Sequence, residues 1–452
     1  MLTKKGAVHT VDMTEGDPIR LILAFALPLL LGNVFQQIYT MVDTVAVGYL
    51  LGDEAISAIG ATSAVYSLMI TFANGLNSGF AIVVTQAFGS HDRDKLRRSV
   101  AGIFILNGIS TLILTVLSVS LLIPLLRFMN TPEGIFSDAY SYILVLYIGI
   151  FSTVGYNMFS GLLRAVGDSK TPLYHLIVAS VANVVLDVPL VLLMGVPGAA
   201  LATVISQTVA AALGGISFFR QCRDMIPKRD ELRISASLLS ELISSGIAMA
   251  LMMCVVSLGS VIFQRANNLL GEDIIAAHST SHKIFTVFLQ PISAMSAALS
   301  TFVSQNYGAG RYERIRFSLG RILILQAIWG VLSCISVYLT GGALVHLLTA
   351  TENEYIVSNA VMSMRICLPF FPVLGALQCL RTAMQSMGYK TAPVISSCIE
   401  VLVKIIGATF IIPAYGYLGS CVTEPLTWTV MAAFLALSYL ILRKKIYKMH
   451  VD

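Results

Sequence analysis

The sequence predicts an all-α polytopic membrane protein: twelve transmembrane helices arranged as two six-helix repeats in the same orientation. Three observations carry this. Of 452 residues, 56% are hydrophobic and 12% charged, against about a quarter charged in ordinary soluble domains. Apolar segments, each long enough for the roughly 20 residues a crossing needs, are centred near residues 34, 70, 112, 150, 183, 209, 254, 290, 332, 370, 404 and 430. The second half of the chain also repeats the first at an offset of 219 to 221 residues.

In chain order, Met1 to Arg20 lacks a small-residue cleavage pattern, and the apolar segment after it is too long for a signal h-region, so it is expected to stay as the first span. Asp17-Pro18 has the form of an N-cap followed by a proline at the first helical position, where the missing N–H would be unpaired anyway. The first helix should start there and run to about Tyr49, tilted or kinked at Pro28, whose ring removes a backbone hydrogen bond. The loops that follow are too short for a separate soluble domain. Six of the seven cysteines fall within spans and none forms a CxxC, so neither a disulfide framework nor a zinc site is expected.

Charge placement orients the chain. Basic clusters follow every even-numbered span: Arg93 to Arg98; Arg164 and Lys170; Arg220 to Arg233; Arg311 to Arg321; Arg381 and Lys390; Arg443 to Lys448. With Lys4, Lys5 and Arg20 they hold 24 of the 29 Lys and Arg. The opposite loops carry Asp53, Glu54, Glu133, Asp138, Glu272, Asp273, Glu352 and Glu354. By the positive-inside rule both termini are cytoplasmic, which requires an even number of spans.

The repeat is legible residue by residue. Leu51-Gly52-Asp53-Glu54 recurs as Leu270-Gly271-Glu272-Asp273, and Gln86-Ala87-Phe88-Gly89 as Gln305-Asn306-Tyr307-Gly308; further on, Gly195-Val196-Pro197-Gly198 meets Gly416-Tyr417-Leu418-Gly419. This divides the chain into an N-terminal lobe at 1–220, a cytoplasmic linker at 221–239 and a C-terminal lobe at 240–452. Repeats related by an axis along the membrane normal place a substrate between them in alternating-access transporters. A transporter is therefore favoured over a channel or an enzyme; no HExxH, GxSxG or Walker A motif is present.

Two carboxylates stand where they are costly. Asp43 and Asp187 lie inside spans, where an unpaired charge costs about 2.5–3.5 kcal/mol on insertion scales, and such residues by default carry ions or protons. Asn183 is four residues before Asp187 and shares its helix face, and Pro189 should free the carbonyl of Val185 beside the carboxylate. At 1.5 Å per residue, Asp43, Asp187 and Thr203 all fall within about 12 Å of the outer ends of their helices. Such an oxygen-rich set suits a small hard cation, Na+, while burial and mutual repulsion suit a proton equally. The competing account is structural: each acid satisfies a helix end or hydroxyl, and Asn183 and Thr203 make interhelical hydrogen bonds.

At these residues the sequence resembles the multidrug and toxic compound extrusion (MATE) family, in the branch that includes DinF-like and MepA-like bacterial proteins. Phe25-Ala26-Leu27-Pro28 with Tyr39 and Val42-Asp43, the two Gln-to-Gly motifs, Arg164-Ala165-Val166-Gly167-Asp168 before Thr171-Pro172, Asn183 with Asp187, and Gly198 to Thr203 carry the resemblance. It implies a V-shaped, MOP-flippase-like fold and a monomeric antiporter in a bacterial or archaeal cytoplasmic membrane. Cationic or amphipathic organic compounds would leave in exchange for H+ or Na+, with no other cofactor and no nucleic-acid partner. It also implies a cation site matching Asp43, Asn183, Asp187 and Thr203.

The second half departs from that chemistry. At the 221 offset, Asn183 corresponds to Lys404, Asp187 to Ala408 and Thr203 to Glu424, and Glu400 is one turn from Lys404. A buried ion pair that fixes packing is the simpler account there, with a second proton relay as the alternative. Other charged or titratable side chains at depth are Lys283, His278, His282 and Arg365. A substrate cavity would draw on Gln36, Tyr39, Asn74, Asn157, Met158, Met252 and Met253, because flexible methionines suit varied ligand shapes. Lys283, Arg365 and Lys404 keep open a second reading, a lipid-linked precursor flippase that holds a pyrophosphate.

Overall fold

A computed structural model describes residues 10–349 and 353–448, with side chains described except at 39–47, 53, 348–349 and 445–448. Among the described residues every regular element is a helix: α1 (Pro18–Leu51), α2 (Asp53–Gly89), α3 (Arg93–Phe128), α4 (Glu133–Ile148), α5 (Ile150–Ala165), α6 (Lys170–Met194), α7 (Val196–Gln221), α8 (Ala236–Asn268), α9 (Glu272–Gly308), α10 (Tyr312–Thr349), α11 (Glu354–Cys367), α12 (Phe371–Ser386), α13 (Thr391–Ile406) and α14 (Ile412–Lys448). The first begins where its sequence predicts, with Asp17 Oδ1 accepting from the Arg20 N–H at 2.8 Å and Pro28 inside it.

Among the described residues ten helical stretches are long and apolar enough to cross a bilayer, and α4 with α5, bent by 42° at Gly149, together form a further one. The stretch Thr391–Lys444 is 54 residues long. A π-turn at Gly407–Ile411 joins its first part to α14, and Gly416 breaks it with φ 58° and ψ −139°, so it supplies two crossings. The chain is thus an all-α polytopic membrane protein, and among the described residues its spans count to the expected twelve. Gly195, at the equivalent register, has φ 68° and ψ −140°, a conformation that a Cβ disfavours.

The helices gather into two compact units. One holds Met1–Gly16, Ala24–Ala250 and Ser304–Gly310; the other holds Asp17–Leu23, Leu251–Val303 and Arg311–Asp452. The first unit continues into α8 because that helix packs on α2 backbone to backbone: a Cβ on Gly79 would lie 2.3 Å from the Ser245 carbonyl oxygen. Its core joins Phe80, Val83, Leu162, Phe218 and Leu242. In the second unit Gln326 is fully buried and satisfied, donating to the Ile292 carbonyl at 3.3 Å and Ser296 Oγ at 3.1 Å.

The repeated Gln-to-Gly motif meets its own copy. A Cβ on Gly89 would stand 2.0 Å from the Gln305 carbonyl oxygen, and one on Gly308 would stand 2.0 Å from that of Gln86. The ends of α2 and α9 therefore cross in mutual backbone contact within the first unit. Residues 10–14 strap this crossing. Val11 N–H donates to Val166 O at 3.0 Å, the buried Met13 donates to Gln305 Oε1 at 2.8 Å, and Asn306 Nδ2 donates to Met13 O at 3.1 Å.

The segment between α7 and α8 is docked rather than loose. Arg97 on α3 donates from Nε to the Asp224 carbonyl at 2.8 Å and pairs through Nη1 with Glu231 at 3.2 Å. Arg98 Nη1 donates to the Arg233 carbonyl at 2.9 Å. The Lys228 N–H, at 2.6 Å, and Arg97 hold the Glu231 carboxyl below its usual range.

Candidate functional site

In the first unit, α6 and α7 bring Asn183, Asp187 and Thr203 together. Asn183 is 0% and Asp187 1% exposed. In the amide orientation that pairs both of its ends, Asn183 donates its N–H to Asp187 Oδ2 at 3.0 Å and accepts from the Thr203 backbone N–H at 3.2 Å. The Thr203 hydroxyl turns back to the Ala199 carbonyl at 3.1 Å, as threonine hydroxyls in helices often do. The carboxylate thus receives a donor, and in this conformation the amide and hydroxyl oxygens point elsewhere. Asp187 lies about two turns from the end of α6 at Met194, and α6 runs through Pro189 unbroken. The backbone of α1 carries Asp43 and Tyr39; their side chains lie outside the described residues.

The second unit holds a chain of four charges. Arg381 Nη2 lies 3.7 Å from Glu400 Oε2, Lys404 Nζ donates to Glu400 Oε1 at 3.1 Å, and Lys404 Nζ lies 3.8 Å from Glu424 Oε1. Ser260 on α8 accepts from Lys404 Nζ at 3.3 Å. The Lys–Glu pairing follows from the offset and the one-turn spacing. Arg381 is the residue that sequence reasoning misplaced. Grouped there with the basic loops, it lies inside α12 with 15% of its side chain exposed; its position inside an apolar segment was the available signal.

The other candidates separate. Asn157 Nδ2 donates to Asn74 Oδ1 at 2.6 Å, joining α5 to α2. Met158 is buried in the first core, and Met252 is buried with its sulfur accepting from Gln385 Nε2 at 2.8 Å; both act as packing here. Met253 is half-buried and Gln36 exposed. His278 is half-buried and 3.4 Å from Asn267 Nδ2, while His282 is exposed. Of the three cations that could hold a pyrophosphate, Lys283 and Arg365 are exposed, Arg365 stacks on Tyr338 at 5.4 Å, and Lys404 is occupied by the glutamates.

The MatE family model matches the chain twice, over residues 28–189 and 248–410. The chain belongs to the MatE family. The two matches start in step with the internal repeat, so each repeat is one MatE unit, and the chain is a membrane protein of a transporter family. Among curated relatives, the "Probable multidrug resistance protein YoeA" of Bacillus subtilis is 28% identical, covering 92% of this chain and 91% of its own. YpnP of the same organism, described in the same words, is 30% identical over 67% and 68%. Among solved structures, that of "MATE in the bent conformation" superposes with a TM-score of 0.90 over 97% of this chain and 98% of the other, at 21% identity, a likeness of fold.

Proposed function

We propose that this MatE protein exports cationic or amphipathic organic compounds from a bacterial or archaeal cell in exchange for protons. The lobes at 1–220 and 240–452 would open alternately in the cytoplasmic membrane, with the chain acting as a monomer and both termini inside. The observation that carries this reading is the buried Asp187 carboxylate and its Asn183 donor at 3.0 Å. A proton neutralises such a carboxylate without further ligands. A sodium ion would need the Asn183 amide turned over, at the loss of its bond to the Thr203 N–H.

The coupling follows from charge. Either an organic cation or a proton compensates the buried negative charge, and one displaces the other. Asp43 would contribute the second carboxylate. The relatives named as multidrug resistance proteins support the substrate class. A lipid-linked flippase is not favoured, because Lys404 is neutralised by its glutamates and Arg365 lies over the Tyr338 ring.

The test is uptake of ethidium into inverted membrane vesicles under a proton or a sodium gradient imposed separately. Proton-driven accumulation lost in Asp187→Asn and Asp43→Asn at equal expression is the expected result. Accumulation driven by sodium alone would replace the proton, and wild-type uptake by Asp187→Asn would remove the assignment.

A further inference from the structure

The charge chain of the second unit occupies the register of the first unit's carboxylate site. Lys404 stands at the position of Asn183 and Glu424 at that of Thr203. In each unit the two positions face each other across a helix pair, through the 3.2 Å Asn183–Thr203 bond in the first and the 3.8 Å Lys404–Glu424 contact in the second. A Cβ on Gly407 would lie 2.4 Å from the Thr423 side chain. The turn after Lys404 is thereby pressed against the residue before Glu424, where the π-turn interrupts the regular ladder; such turns recur at functional sites.

The four charges are not held equally. Glu400 is clasped between Lys404 and Arg381, so its charge is doubly compensated. Lys404 does not depend on Glu424, because Glu400 and Ser260 satisfy it. Among the described residues Glu424 has one ionic contact, longer than a hydrogen bond, and 26% of its side chain is exposed. The groups that face it are Lys404, with Glu400 beyond it, from α13; Arg381 behind Glu400 from α12; and the Cys367 thiol from α11. Its carboxylate is therefore the one member that can change charge without leaving another charge stranded.

We propose that Glu424 is a second proton-binding site, in the C-terminal half, with Lys404 as its built-in counter-charge. A proton from water adds to the Glu424 carboxylate while Lys404 stays on Glu400 and Ser260, and the cluster passes from net zero to +1. When the proton leaves, the carboxylate pairs with Lys404 again. This rests on the proton-exchange reading above and extends it: the +1 state repels an organic cation that the neutral state accepts. Loading substrate then expels a proton from each half.

The experiment is the release of protons into a weakly buffered detergent solution when ethidium is added to the purified full chain, with ethidium binding followed by its fluorescence. Glu424→Gln is expected to release about half as many protons as wild type while still binding ethidium. Release from Glu424→Gln equal to wild type, with all release lost in Asp187→Asn, overturns the Glu424 site and leaves the exchange reading standing. Ethidium binding without proton release in wild type overturns both. Should Glu424→Gln fail to fold, Glu424→Asp decides: the shorter side chain keeps the carboxylate but draws it away from Lys404, so proton release should persist with its half-maximal pH moved upward, and an unmoved profile overturns the proposal.

Discussion

The two units solve the same backbone problem and then part in chemistry. Gly195 and Gly416, 221 residues apart, adopt nearly the same left-sided conformation, φ 68° and 58°. Just before them the first half carries Pro189 and the second a π-turn at Gly407–Ile411, two ways of loosening a helix at one register. Yet the first half places an amide and a carboxylate there, and the second a lysine between two glutamates. Duplication has kept the turns that shape the helices and released the side chains between them. Polar depth is thus shared, while the first half sets a buried carboxylate beside an amide and the second a run of paired charges.

That contrast predicts opposite failures. Lys404→Ala leaves Glu424 uncompensated and Glu400 with Arg381 alone, and breaking a buried pair from one side costs about 3–5 kcal/mol. A thermal melt in detergent should show a large loss of stability. Asp187→Asn keeps a hydrogen-bond partner for Asn183 and should stay within about 1 kcal/mol of wild type in the same melt, while gradient-driven ethidium uptake disappears. Equal loss of stability in the two variants would show that the halves do not differ in kind.

Much of this contrast was legible in the sequence. The spans, their count and the offset came from hydropathy and self-similarity, and the Asn183–Asp187 and Glu400–Lys404 pairs came from one-turn spacing. What escaped was decided by tertiary contact. The Thr203 hydroxyl turns to its own helix and leaves the backbone N–H to meet Asn183, a choice that residue type does not dictate. Arg381 belongs to a basic count by composition and to the charge chain by position. The strap at 10–14 has no periodicity to announce it, because side-chain amides of Gln305 and Asn306 hold its backbone.

The symmetric glycines sharpen the comparison at smaller cost. Alanine at Gly195 or Gly416 should lose about 1–3 kcal/mol, and by the same amount at each because the conformations match. At the crossing, Gly89→Ala and Gly308→Ala each push a methyl to within 2.0 Å of a carbonyl oxygen. Each should cost about 1–3 kcal/mol through forced separation of the helices. Cysteine labelling at the strap would report that separation, and labelling unchanged from wild type would mean that the crossing yields elsewhere.

The smallest effect belongs to the linker, which has no equivalent in the repeat. The Lys228 N–H and Arg97 lower the Glu231 carboxyl below its ordinary value of 4.5. A carboxyl depressed on folding contributes its full stabilisation above the unfolded value, and that contribution fades as pH falls through the lower folded value. The clasp should therefore hold at neutral pH and loosen only under acid. Acid-tolerant protease cutting within residues 221–239 should rise about two- to fivefold as the pH drops below the ordinary carboxylate range. Glu231→Gln should show the raised rate already at neutral pH and no further rise with acid. A Glu231→Gln protein cut at the wild-type rate at pH 7 would mean that the Arg97 and Arg98 bonds to backbone carbonyls hold the linker without the carboxylate.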